Sequence, residues 1–252
     1  MLNMKYEFND KEHIHTLDGK PLSGTSSVVG VLAKPALIQW AANMACDYIS
    51  HNSDNVLSGD LSHIGFQVKN ETLAEARYAH RNIKQNAAKT GTDLHAELER
   101  YVKHVMASND FTGPLDMDKK IIPFVEWAQA NVKKFIWSEA HCYSERLWVG
   151  GISDAGAELK DGRLAVIDFK SSKEAYPGQF LQDAGYAIQI EENGLFSQDG
   201  NHSKVLDKKI DALIVVPFGA KIVEPVIKNN VEDFKKGFEA AVVLYRLLGL
   251  DK

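Results

Sequence analysis

The stretch GGISDAGAELKDGRLAVIDFKSSK, from Gly150 to Lys173, constrains the fold more than any other. GRLAVIDFK alternates apolar and polar positions with the period of a strand. Leu164, Val166, Asp168 and Lys170 share one face, while Ala165, Ile167 and Phe169 share the other, which should pack on a helix. Asp154 stands in the strand before it, so the stretch reads as a β-hairpin carrying two carboxylates and an ammonium. Charges on a buried face are costly unless paired or bound to an ion. The face is therefore either turned to water, as D-x-K triplets usually are, or it is a site.

The turn decides where Asp154 lies. A two-residue turn of Asp161-Gly162 pairs Lys160 with Arg163 and sets Asp154 against Phe169, on the wrong side. A three-residue loop, Lys160-Asp161-Gly162 with Gly162 left-handed, pairs Leu159 with Arg163 and sets Asp154 opposite Asp168. The sequence permits both. Opposed carboxylates repel unless a positive group sits between them, and a hard divalent cation is the usual answer. Lys170 beside such a cation can orient or deprotonate water, or stabilise charge developing on a phosphate.

Around the hairpin the chain reads as α/β. Residues 5–23 suggest a short hairpin with Leu17–Lys20 as its turn. Thr25–Ser27 can cap a helix running to about Ile49. Residues 51–70 are polar and loop-like. A helix is expected from Glu71 to Asn86, broken at Gly91, with Thr92 capping the next one to about Met106. After a linker, another helix is expected over roughly Ile121–Phe135. AHCYSERLWV then alternates as strands do, with Glu145 near its end more in keeping with a surface charge than with a second acid. A helix over about Gly178–Glu192 stops at Asn193-Gly194, DALIVVPF is a buried-strand run, and Val231–Leu248 closes the chain as an amphipathic helix.

The chain has 252 residues, 44% hydrophobic and 25% charged, enough for a sizeable core. No apolar run approaches the ~20 residues that span a bilayer, and the N-terminus lacks a secretory apolar stretch, so a cytoplasmic protein without membrane partners is expected. Cys46 and Cys142 are too few for a disulfide framework or a four-cysteine iron–sulfur site and are expected as buried thiols. A formal net charge of −5 argues against a broad nucleic-acid coat but leaves room for a local basic groove.

Four short motifs stand in order. Gly151-x-x-Asp154 followed by Asp168-Phe169-Lys170 resembles the catalytic signature of the PD-(D/E)xK nuclease superfamily. GTDLHAELE (Gly91–Glu99) resembles the G-T-x-x-H helix motif of its RecB-like exonuclease branch. QDAGY (Gln182–Tyr186) resembles that branch's Q-x-x-x-Y motif, twelve residues beyond Lys170. The resemblance covers roughly residues 91–190; SSVVGVLAKPALIQWAANMA adds a loose likeness to phage-encoded members. Ser153 stands where the superfamily's name has proline. Neither cluster cysteines nor a helicase motor is present.

The resemblance implies a restriction-endonuclease-like core, αβββαβ around a mixed central sheet, with a helical N-terminal half and a C-terminal helix. It implies one nuclease domain over 1–252: an extension (1–90), a catalytic core (91–220) and a closing helix (221–252). It implies a metal-dependent DNA exonuclease producing 5′-phosphates. One or two Mg²⁺ or Mn²⁺ ions would be held by His95, Asp154, Asp168 and the Phe169 carbonyl, with Lys170 positioning the attacking water in a bacterial or phage-infected cell. The imidazole favours Mn²⁺. Glu99, one turn from His95, is a further candidate ligand. Gln182 and Tyr186 would support the site and contact DNA. Arg77, Arg81 and Lys84 form a stripe on one helix face, shortly before His95, that is a candidate for the phosphate backbone, although charge runs are usually solvated. His13 and His15, on one strand face, read as ordinary surface residues. The partner would be DNA with an end, single- or double-stranded, together with a possible recombination or replication protein. An endonuclease, or a non-catalytic nucleic-acid-binding protein on the same fold, are the competing expectations.

Overall fold

The computed structural model describes residues 5–32, 35–52, 70–219, 222 and 224–251. The chain divides into two compact units, one of residues 33–90 and one of residues 1–32 with 91–252. Most of the stretch expected as a polar loop, 53–69, lies outside the described residues. Among the described residues no helix is long and apolar enough to cross a membrane.

The N-terminus forms three antiparallel strands, β1 (Tyr6–Asn9), β2 (Ile14–Leu17) and β3 (Lys20–Pro21). The Leu17–Lys20 turn forms as expected: Leu17 pairs with Lys20, and Asp18 and Gly19 both take positive φ, as a two-residue turn between twisted strands requires. β4 (Ser23–Gly24) leads into α1 (Thr25–Val29). The helix expected to run unbroken to Ile49 is thus two helices, the second being α2 (Pro35–His51). Pro35 lacks an N–H and disfavours helical geometry in the residue before it, so it opens a helix rather than continuing one. Thr25 is not a cap either; its hydroxyl donates to the Gly150 carbonyl at 3.0 Å.

α3 runs through Gly91 and Thr92 as one 39-residue helix, Asn70–Ser108, where a break was expected. A helical glycine costs about 1 kcal/mol. The packing of Leu94, Leu98, Tyr101, Val102 and Val105 into the core exceeds that. In the smaller unit, Tyr48 of α2 donates to Glu75 of α3 at 2.7 Å. A single 3₁₀ turn (Lys119–Ile121), capped by Asp118, precedes α4 (Ile122–Asn131). α4 stops short of Phe135 because Val132 already pairs with Leu159, and strand pairing takes over from helix.

The large sheet is built on β5 (Val132–Ser144), β6 (Val149–Leu159), β7 (Leu164–Lys170) and β10 (Ala212–Pro217). Short strands β8 (Leu195–Phe196), β9 (His202–Lys204) and β11 (Val226–Lys228) extend it to the order β11-β10-β7-β6-β5-β8-β9. β5, β6 and β7 are antiparallel neighbours; β10 runs parallel to β7. The crossover between those two holds α5 (Pro177–Asn193), and α6 (Val231–Leu247) closes the chain. The expected α/β class with a mixed sheet is what forms. The alternation in AHCYSERLWV hides a turn: Glu145–Trp148 link β5 to β6, with Trp148 at φ 50°.

Both sheet faces are covered. Ala155, Ala157, Ala165, Ile167 and Phe169 meet α3 and α4, with Tyr101 and Phe124 fully buried between them; truncating Phe124 to Ala should cost about 3–5 kcal/mol. Leu164, Val166, Leu213 and Val215 meet Phe180, Ala184, Ala187 and Ile190 of α5. The hairpin face carrying Asp168 is therefore core, and a water-facing hairpin is excluded.

Candidate metal centre

The β6–β7 loop takes the three-residue form. Leu159 N donates to Arg163 O at 2.8 Å, Gly162 N donates to Leu159 O at 3.0 Å, and Gly162 has φ 91°. The ladder that follows pairs Ala157 with Ala165 and Ala155 with Ile167; one step further sets Asp154 opposite Asp168. There the strands part. The Phe169 N–H donates to Asp154 Oδ2 at 2.8 Å instead of to a facing carbonyl. His95, on α3, brings its Nε2 to 3.2 Å from the same oxygen. Its ring stands edge-on to Phe169, which fixes its direction.

The third member comes from β5. Ser138 pairs with Ala155 and Ala140 with Ser153, so Glu139 falls opposite Asp154. Glu139 has φ 49°, a conformation costing of order 1–3 kcal/mol for a residue with a side chain. The result is a group in which His95, Glu139 and Asp154 each offer one ligand atom within 4.8 Å of the others. Glu139 Oε1 is buried without a hydrogen-bond partner. Burial, with the Asp154 charge adding to it, pushes the Glu139 carboxyl up to about 7. The hydrogen bond to Asp154 raises His95 above its ordinary value, against the opposing effect of burial.

Deeper in the sheet, Asp168 is 1% exposed. Lys170 Nζ donates to its Oδ1 at 2.7 Å and forms an ion pair 2.6 Å from Oδ2, which has no hydrogen-bond partner of its own. Burial pushes the Asp168 carboxyl up to about 7, with Lys170 pulling the other way. Burial also works against the Lys170 charge, but Asp168, Asp154 and Asp183 outweigh it and hold the ammonium above its ordinary range. Asp183, on α5, is completely buried, and neither of its oxygens has a hydrogen-bond partner. Burial raises its carboxyl well above the usual range.

The sequence candidates divide accordingly. His95 and Asp154 meet as expected. Asp168 faces Asp154 but lies outside the three-residue group, held by Lys170. Phe169 is tied to the site through its N–H, where its carbonyl was the expected ligand. Glu99 is paired with Lys103 on the same helix and is not part of the group. Gln182 donates to the Tyr186 hydroxyl at 2.7 Å, and Tyr186 is buried. Its ring explains Gly151: a Cβ there would stand 2.7 Å from Tyr186 Cε1 and from Thr25 Oγ1. Arg77 is exposed, and the side chains of Arg81 and Lys84 lie outside the described residues. Glu145 is exposed, as expected.

Two expectations elsewhere are corrected. His15 is not a surface residue. It is 5% exposed because β1–β3 pack Tyr6 against Tyr143 and Phe196, and His15 bonds the Tyr6 hydroxyl at 2.6 Å. Of the two free thiols Cys142 is buried but Cys46, on α2, is exposed.

Glu139 is the residue that sequence reading missed. The signal was present: a four-residue turn at Glu145–Trp148 pairs Ser144 with Val149, and counting five residues back along each strand reaches Glu139 and Asp154.

One imidazole nitrogen and two carboxylate oxygens suit a divalent cation of the Mn²⁺ or Mg²⁺ kind. The orphaned Glu139 oxygen fits that use, since a buried carboxylate oxygen without a partner is otherwise costly. A cleft of about 590 Å³ lies between α5, α6 and residues 206–209. Its charges are largely paired internally, Lys235 with Glu191 and Arg146 with Glu192 and Glu239. No family model matches the chain, and a search of curated proteins returns no match.

Proposed function

We propose that this chain is a divalent-cation-dependent nuclease that hydrolyses DNA phosphodiester bonds from an end. One observation carries the reading: His95, Glu139 and Asp154 converge where β6 and β7 part, across from the Asp168–Lys170 pair. Such a site fits the four motifs that resemble the RecB-like exonucleases.

A divalent cation bound there supplies Lewis-acid polarisation of the scissile phosphate and lowers the pKa of the attacking water. His95, Glu139 and Asp154 would hold it. The Phe169 N–H fixes the Asp154 carboxylate, so the ligand set is oriented before anything binds. Lys170 keeps its proton among three carboxylates. It would act as a hydrogen-bond donor and positive charge toward the water or the phosphate. The Tyr186 ring, held by Gln182, packs α5 against Gly151 of β6.

The test compares end-labelled linear DNA with the same molecule covalently closed, in Mn²⁺ and in EDTA. Loss of the linear form alone, abolished by EDTA, is expected. Equal cutting of the circle makes the protein an endonuclease with the same site. No cutting of either in Mn²⁺ or Mg²⁺ refutes the catalytic reading.

A further inference from the structure

We propose that Asp183 is a positioning residue that receives the Lys170 ammonium when Asp168 is drawn into cation binding. The inference rests on the cation-dependent reading above and deepens it. Lys170 Nζ donates to Asp168 Oδ1 and lies 2.6 Å from Oδ2, so a cation cannot approach Asp168 until that ammonium moves. Lys170 then favours another carboxylate, because a half-buried cation left without a partner is costly. Asp154 is held through its Oδ2 by the Phe169 N–H and His95 and is itself one of the residues that would ligate the cation. Asp183 is 0% exposed and neither of its oxygens has a partner, yet it acts electrostatically on both Lys170 and Asp168. It lacks a donor, and Lys170 has three donors on a flexible four-carbon stem.

The position of Asp183 argues for a purpose. It lies among Phe180, Ala184 and Ala187 on the face of α5 that packs on the sheet, where an apolar or amide side chain would avoid a buried, unpaired carboxylate. With Lys170 on Asp183, the Asp168 oxygens are released opposite Asp154, and the second aspartate of the hairpin becomes a ligand beside His95, Glu139 and Asp154. Lys170 and the cation thus compete for Asp168, and Asp183 relieves the competition.

A double-mutant cycle on the full chain without DNA tests this, with Mn²⁺ affinity read by calorimetry and folding checked by thermal melting. Asp183→Asn should weaken Mn²⁺ binding about tenfold or more. Lys170→Ala should bind at least as tightly as the wild type, because the competitor is gone. Adding Asp183→Asn to Lys170→Ala should change affinity by less than about twofold. Should Asn disturb the fold, Asp183→Ala takes its place in the same cycle. An unchanged affinity in Asp183→Asn, or an equal loss in both backgrounds, overturns the proposal while leaving the metal centre standing. A wild-type chain that binds no Mn²⁺ overturns both.

Discussion

Two clusters of buried polar side chains lie in the same unit, each drawing on β5, and they are finished differently. At one, Tyr6 Oη lies 2.6 Å from His15 Nδ1 and 3.3 Å from His141 Nδ1, with the Tyr6 ring stacked on Tyr143 and tilted against Phe196. None of its polar atoms is left buried and unpaired. At the other, His95, Glu139, Asp154, Asp168, Lys170 and Asp183 crowd together, and four carboxylate oxygens, one on Glu139, one on Asp168 and two on Asp183, have no hydrogen-bond partner. Buried polar groups in folded proteins are nearly always paired. The first cluster is thus accounted for by docking the N-terminal strands, whereas the second keeps capacity for something that the chain itself does not supply.

The sharpest separation should come from kinetics. Lys170→Ala should lower kcat by about 10²–10³, the usual loss when one preorganised electrostatic group is removed, with KM for DNA nearly unchanged. Steady-state cleavage of linear DNA measures both, and an equal fall in binding and rate would make Lys170 a phosphate anchor instead. Glu139→Gln should weaken Mn²⁺ binding by at least about 10-fold, since even the residues that only support a metal ligand cost that much when changed. Calorimetry reads it, and an unchanged affinity would return Glu139 to a strained strand residue.

The clusters should also respond to pH with opposite signs. His15 is lowered from 6.5 to about 3 by burial, then by its histidine neighbours. A group whose folded value is depressed gives stability that is present above its unfolded value and lost as pH falls, here from about 6.5 toward 3. Glu139 is raised from 4.5 to about 7. Its stability is present below 4.5 and lost as pH rises through about 7. Thermal melting of the metal-free chain should show both flanks. Glu139→Gln should flatten the loss between pH 5 and 8 and spare the acid side. An alkaline flank unaltered by Glu139→Gln would show that other groups set it.

The smallest effect belongs to the satisfied cluster. Tyr6→Phe leaves His15 Nδ1 buried without its partner and should cost about 1–3 kcal/mol in denaturant unfolding, while the folded variant cleaves DNA at the wild-type rate. A folded Tyr6→Phe variant that no longer cleaves would break the comparison.

How far the sequence could be read follows the same division. The strand period of GRLAVIDFK and the freedom of Gly162 to turn left-handed made Asp154 opposite Asp168 one of two legible registers, and packing chose it. His95 was legible through a motif. Glu139 required two strands to be counted back from a turn whose alternation looked like continuous strand. Asp183 was hidden because helix periodicity marks a buried position without saying what a carboxylate does there. Gly91 misled because local propensity was outweighed by core contacts made on one side of it, and His15 because its burial depends on a sheet far along the chain.

The incompletely paired cluster is expected to take a divalent cation and the fully paired one to take none. Anomalous diffraction from a Mn²⁺-soaked crystal examines both at once. A peak is expected within about 2.0–2.6 Å of ligand atoms on His95, Glu139 and Asp154, and none between Tyr6, His15 and His141. A peak at the Tyr6 cluster with none at Asp154 would contradict that expectation.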